Sequence, residues 1–253
     1  MTIKQYVSQM RKIPGGRFTM GRTYYIKGES KLYEEEVLAH PVDISPFRMG
    51  ATPVTVGMWR EYLRANFSLS MPEIPEWGWI DSHPMVNVSW NDIMGTDGKG
   101  GYCAWASRIT GVRLSLSTEA QWEFVAKGGK DQVFPWGNVY DDSKVWSSVK
   151  KIRSGTAAVD RLNNMFVNKF GVSDLSGNVW EWCLDGYQLY VKSFDRLGYV
   201  SVPRDPVGAG YAKCFRGGSW SLSNPDIFRC AYRDRVNPEG GDDTSGFRLV
   251  APA

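Results

Sequence analysis

The side chains best equipped for chemistry in this sequence are few and scattered. Cys103, Cys183, Cys214 and Cys230 are its four cysteines. No two stand in a Cys-x-x-Cys arrangement, which excludes a zinc ribbon. Four thiols in 253 residues do not make a disulfide scaffold. Buried free thiols are the expectation. His40 and His83 are the two histidines. They exclude a His-Glu-x-x-His helix and any centre built on three imidazoles. Serines and carboxylates are plentiful, but no Ser–His–Asp arrangement has support from spacing.

The rest of the composition describes what must hold such groups. Hydrophobic residues make up 42% and charged residues 23%, so the chain can bury a core. Trp 11, Tyr 12 and Phe 11 give a heavy aromatic load, and each buried ring covers a large area. Gly 27 and Pro 13 imply many turns and little long helical packing. The 30 basic residues are interleaved with 27 acidic ones, for a net charge of +3. No basic stripe marks a nucleic-acid surface. No apolar run is long enough to span a membrane. The first ten residues lack the apolar core of a signal peptide. A lost leader would make the protein a surface or extracellular lipoprotein; otherwise a cytoplasmic location is expected.

Local patterns predict an α+β chain forming a single domain over residues 1–253. Ile13–Gly21 reads as a turn entering a strand, and Pro41–Met49 alternates like a half-buried strand. Thr55 can cap a helix carrying Val56, Trp59, Tyr62 and Leu63 on one face. Ser89 can cap another from Trp90, which the glycine-rich stretch 95–101 interrupts before the pattern resumes at Tyr102. Thr118-Glu119-Ala120-Gln121 is a capping box, and Gly128-Gly129 closes that helix. Beyond residue 130 no helix is expected. The prediction is two or three helices, short strands and much irregular structure.

A series of motifs runs in order through this frame: Ile13-Pro14-Gly15-Gly16-x-Phe18-x-Met20-Gly21, Pro84-x-Val86-x-Val88-Ser89-Trp90, Tyr102-Cys103-x-Trp105, Arg113-Leu114-x-Leu116-Ser117-Thr118-Glu119-Ala120-Gln121-Trp122-Glu123, Phe134-Pro135-Trp136-Gly137-Asn138, Gly177-Asn178-Val179-Trp180-Glu181-Trp182, Phe215-Arg216-Gly217-Gly218-Ser219-Trp220, Arg229-Cys230-Ala231-Tyr232-Arg233 and Gly246-Phe247-Arg248-Leu249. From about residue 10 to 250 the chain resembles the formylglycine-generating-enzyme, or sulfatase-modifying-factor, domain. The resemblance implies that family's version of the C-type lectin fold. The glycines let backbones approach closely, and the indoles suit a core poor in regular structure.

The oxidase members of that family bind Cu(I) with two cysteines just after the Arg-Gly-Gly-Ser element, as soft thiolates should. Here the stretch 221–228 holds no cysteine. Iron-dependent relatives, the ergothioneine-type sulfoxide synthases, use three histidines on a separate helical bundle, which this chain lacks. The resemblance therefore implies no catalytic cofactor, and the sequence reading is that the chain is not an enzyme.

The C-terminal segment points toward binding. Within the fixed elements of 216–249 the intervening residues are Ser221, Leu222, Ser223, Asn224, Asp226, Ile227, Asp234, Val236, Glu239, Gly240, Gly241, Asp242, Asp243, Thr244 and Ser245. Most are small or polar. The pattern resembles variable proteins diversified by retroelements, in which template adenines are mutagenised. All but Glu239 are reached, or retained, from an Asn codon. An ordinary loop rich in turn formers is the plain alternative. The expected function is binding of a protein or other macromolecule at these residues. Leu222, Ile227 and Val236 would be apolar contacts. Asp226, Asp234, Asp242 and Asp243 would form a negative rim favouring a basic or polar partner. A fixed binding domain of the same family is the alternative, and an oxidoreductase related to it is the remaining one. No Glu-Pro-Asn or Gln-Pro-Asp element supports calcium-mediated glycan binding.

The resemblance also implies a structural calcium, held by Asp174, the carbonyls of Gly177 and Val179, and Glu181. Hard oxygen ligands suit that cation. The alternative is that Glu181 pairs with an arginine of the framework. A second calcium element reads Lys144-Val145-Trp146 here, and its lysine opposes a cation.

Overall fold

Helix starts in this chain are set by hydroxyl caps. The computed structural model describes residues 1–22, 39–96, 100–160, 166–188 and 212–253. Thr2 and Gln5 form a capping box at α1 (Ile3–Ser8), an element the sequence reading omitted. Thr55 accepts the Met58 amide at α2 (Val56–Arg64), which buries Val56, Met58, Trp59 and Tyr62. Ser89 and Asp92 form a capping box at α3 (Trp90–Met94), and α4 spans Gly101–Thr110. At the two ends of the glycine interruption, Gly95 and Gly101 have φ of 86° and 62°. A Cβ on Gly101 would lie 2.7 Å from the Gly95 nitrogen, so only glycine fits there. Thr118 and Gln121 box α5 (Glu119–Ala126). Among the described residues, α2, α4 and α5 run eight to ten residues, and the other two helices are shorter.

The strands are short and divide among three sheets. β1 (Arg11–Ile13), β4 (Phe47–Met49), β10 (Leu249–Pro252) and β5 (Ser115–Leu116) lie side by side in that order. β2 (Gly16–Met20) and β3 (His40–Ile44) form a separate antiparallel pair. The alternating stretch 41–49 is therefore two strands in two sheets, parted at Ser45-Pro46. The third sheet runs β8 (Asp234–Val236), β7 (Lys213–Arg216), β6 (Trp180–Gly186) and β9 (Ser245–Gly246), with β9 parallel to β6.

Apolar packing concentrates in two clusters. One stacks Trp59 on Tyr102 at 5.1 Å, with Tyr62, Trp105 and Phe247 around them. The other surrounds Trp122 and holds Cys183, Cys214 and Cys230. All four cysteines are buried and carry no disulfide. Burial pushes the Cys103 thiol up to about 12 and the other three up as well.

Charge is buried beside these rings. Arg248 grips both carboxylate oxygens of Glu181 and reaches the carbonyls of Gly50 and Ser173. The Trp122 indole N–H donates to the same Glu181 at 2.8 Å. Glu119 takes two bonds from Arg233, at 2.6 and 2.7 Å, and Glu123 pairs with Arg216 and Lys127. Desolvation opposes ionisation of Glu119, but Arg233 and Arg216 outweigh it and hold the carboxyl at about 2. Nearby Asp185 accepts the Glu119 amide at 2.6 Å. Burial, then the Glu119 charge, pushes Asp185 up to about 6.

Two predictions arise from this buried charge. Glu181→Gln should cost about 3–5 kcal/mol in urea unfolding, because it strands Arg248; the E181Q/R248M double variant should recover part of the loss. For Asp185, the folded carboxyl binds its proton more tightly than the unfolded one, so its contribution to stability falls as pH rises from about 4 to about 6. Asp185→Asn should therefore be more stable than the parent at pH 7.5, by about 1–2 kcal/mol, and match it near pH 4. Equal unfolding midpoints at both pH values would refute this.

Candidate functional site

The Gly177-Asn178 pair builds the site's frame. Asn178 sits in the left-handed region, at φ 67°, which asparagine tolerates better than most residues. Its amide donates to the Trp146 carbonyl and its carbonyl accepts the Trp220 amide. Its side chain closes a two-way pair with the Ala157 backbone, at 2.9 and 3.1 Å. One buried residue thus ties together three segments that are far apart in sequence. Ser148 adds two ties, donating its amide to Leu222 O and its hydroxyl to Trp220 O.

These ties line up a groove of about 260 Å³, walled by Trp77, Trp146, His83 and residues 151–156. The Arg153 guanidinium lies 3.8 Å above the Trp146 ring. His83 Nδ1 lies 3.0 Å from the Thr156 hydroxyl. Trp77 meets Trp220 edge to face at 5.2 Å. Gly155 has φ 156°, and a Cβ there would sit 2.5 Å from the Trp77 ring. The indole of Trp220 donates to the Asp243 carbonyl at 3.1 Å. Sequence reasoning missed Trp77 and Arg153 as site residues. The signals present were the basic run at 150–153 and Trp146, which was read only as part of a damaged calcium element.

The fifteen predicted binding residues divide by burial. Ser221, Ser223, Asn224, Glu239, Gly241 and Asp242 are exposed; Gly240, Asp243 and Thr244 are partly so. Ser245 is 1% exposed. Its backbone is paired in β9 and its hydroxyl donates to Asp242, so it is removed from the surface. Leu222, Ile227 and Val236 are half-buried and pack on the core, so they are not open apolar contacts. Asp242 accepts the Thr244 amide and the Thr244 and Ser245 hydroxyls. Asn224 accepts the Asp226 amide at the start of the 3-10 turn Pro225–Phe228, and Asp226 pairs with buried Arg229. These are structural duties. The fifteen spread across both edges of the third sheet. Trp220 brings 221–223 to 242–244, but Asp234 and Val236 lie on β8, at the opposite sheet edge from β9. Three strand spacings part those edges, about 14 Å. Among the acids, Asp243 is raised by partial burial, then by Asp242 and Glu76.

The implied calcium set does not fit. Both Glu181 oxygens are taken by Arg248, with Trp122 on the second. A guanidinium stands where a cation would need a ligand. The Gly177 carbonyl accepts the Val179 amide. Glu181 is a framework acid paired with arginine, the alternative stated above.

Residues 2–253 match the sulfatase-modifying factor enzyme 1-like domain. The chain belongs to this family. Its fold is the family's version of the C-type lectin fold. The inactive Cα-formylglycine-generating enzyme 2 of Mus musculus is 29% identical over 96% of this chain and 86% of its own. The formylglycine-generating enzyme of Thermomonospora curvata is 32% identical over 67% of this chain but only 56% of its own length. Among solved structures, PvdO from Pseudomonas aeruginosa has TM-score 0.77 and 25% identity, covering 96% of this chain and 94% of that one. Treponema denticola variable protein 1 has TM-score 0.72 and 20% identity, covering 96% and 95%.

These relatives correct the expectation that the chain is not an enzyme. The family is enzymatic: members matching this chain are named formylglycine-generating enzymes, beside others named inactive. The missing cysteines at 221–228 remove one set of copper ligands, and that does not amount to an absence of catalysis. Separately, no helix among the described residues is long and apolar enough to cross a membrane.

The Glu181 geometry predicts that calcium added to chelator-stripped protein leaves the melting temperature unchanged. A rise that Asp174→Asn abolishes would place a cation site here after all.

Proposed function

We propose that this chain binds a protein partner through the outward positions of residues 221–244, and that these positions are a diversified surface on the sulfatase-modifying-factor scaffold. One observation carries the reading: the segment is anchored mainly through its backbone. Ser148 reads the Leu222 and Trp220 carbonyls, Trp220 reads the Asp243 carbonyl, and the Asn87 amide reads the Asp242 carbonyl. This anchoring does not use the side chains of Ser223 or Asp243, whereas Leu222 packs on the core and the Asp242 carboxylate closes a turn. Between these positions Phe228, Arg229, Cys230, Phe247 and Arg248 are fully buried. Burial separates these framework residues from Ser221, Ser223, Asn224 and Glu239, as a tolerant display surface requires. Glu239, Asp242 and Asp243 leave a negative surface, which favours a basic partner segment.

The test is joint substitution of Ser221, Ser223, Glu239 and Asp243. Stability should stay within about 0.5 kcal/mol per site, while affinity for partners captured with the parent protein falls. Phe247→Ala should instead cost about 3–5 kcal/mol. Unfolding of the fourfold variant would overturn the reading. In the native genome, a near-copy of the codons for 221–245, differing only at adenines, would support diversification. Its absence would leave a fixed surface.

A further inference from the structure

The indole groove does not end at the acidic surface; it joins that surface to a basic one. Trp77 is the hinge of the arrangement. On one side it touches Trp220, whose indole is bonded to Asp243. Glu76 precedes Trp77; the Asp243 carboxyl is raised by its partial burial first, then by Asp242 and Glu76. On the other side Trp77 faces Gly155, Lys151 and Arg153 across the groove. Lys151 is exposed, and Arg153 is fixed flat on Trp146 by its stack and by a bond to the Ser147 carbonyl at 3.2 Å. A guanidinium held against a ring keeps its outer edge for a carboxylate. Ile152 at the rim is 89% exposed.

From this juxtaposition of two opposite charges across a strip of indoles, we infer that the groove holds a polarised segment of a protein partner. The segment is cationic where it meets Asp243 and Glu76, carries an apolar or aromatic side chain over Trp77, and is anionic where it meets Lys151 and Arg153. This inference rests on the binding reading above and narrows it. The acidic face alone would select any basic segment, whereas the whole groove selects a segment with charge of both signs in a fixed order. Like charge placed at either end is rejected, which is where specificity comes from.

The probes are three fluorescein-labelled, C-amidated heptapeptides: Lys-Lys-Gly-Phe-Gly-Glu-Glu, and its all-lysine and all-glutamate counterparts. Anisotropy is measured against the full chain at low salt. The mixed peptide should bind about tenfold more tightly than either uniform one, a difference of about 1.4 kcal/mol. Trp77→Ala should remove that preference and Trp77→Phe should keep most of it. Lys151→Glu with Arg153→Glu should leave the mixed peptide no better than the all-lysine one. If the mixed peptide binds no more tightly than both others, or none binds, the inference is overturned. If the all-lysine peptide binds best, and Asp243→Lys abolishes binding while the 151/153 reversal changes nothing, the acidic face stands and the polarised groove falls. Failure of the binding reading itself is seen separately, in the fourfold variant.

Discussion

A protein with this much irregular backbone needs something other than ladders to fix its geometry, and here it is buried guanidinium groups. Arg248 illustrates the constraint. It stands between β9 and β10, which belong to different sheets, and it bonds a carboxylate in β6 and carbonyls at Gly50 and Ser173. A planar fork with five donors can satisfy several loop carbonyls at once. Each such group is costly to desolvate and must find all its partners together. The Arg216–Glu123 and Arg233–Glu119 pairs do the same between β7, β8 and α5. Register in strands of two to four residues follows from these pairings as much as from the strands' own bonds.

The sequence made part of this visible. Helix starts were readable because Thr55, Ser89 and Thr118 carry their signal locally, in a hydroxyl and the residue three positions on. The helix α1 was missed although Thr2 and Gln5 carry the same signal and Ile3, Tyr6, Val7 and Met10 follow at helical spacing, because the first ten residues were weighed only as a possible leader. The alternating stretch 41–49 looked like one strand, since alternation does not say which sheet a strand joins. The motif order named the family correctly. It left open whether Glu181 serves calcium or a framework arginine, because a motif identifies a position and not its partner, and Arg248 lies 67 residues away.

The binding residues were legible as a class and less so as a surface. Spacing between framework motifs picked out 221–245, but it could not separate Asp242, whose carboxylate closes a turn, from Asp243, whose carbonyl does the bonding. Nor could it show that β8 and β9 lie at opposite edges. The indoles that line the groove come from residues 77 and 146, in parts of the chain with no obvious link to the C-terminus. The family relation supplies a scaffold on which both enzymes and proteins named inactive are built.

Asn178 has a consequence beyond holding the backbone in place. Because its amide, carbonyl and side chain each engage a different segment, the walls of the groove cannot loosen one at a time. On the proposed binding reading, the Trp146 and Ala157 segments are already joined when a partner arrives, which lowers the ordering cost of binding. Substitutions at the proposed rim leave these ties in place, because none of them uses a rim side chain.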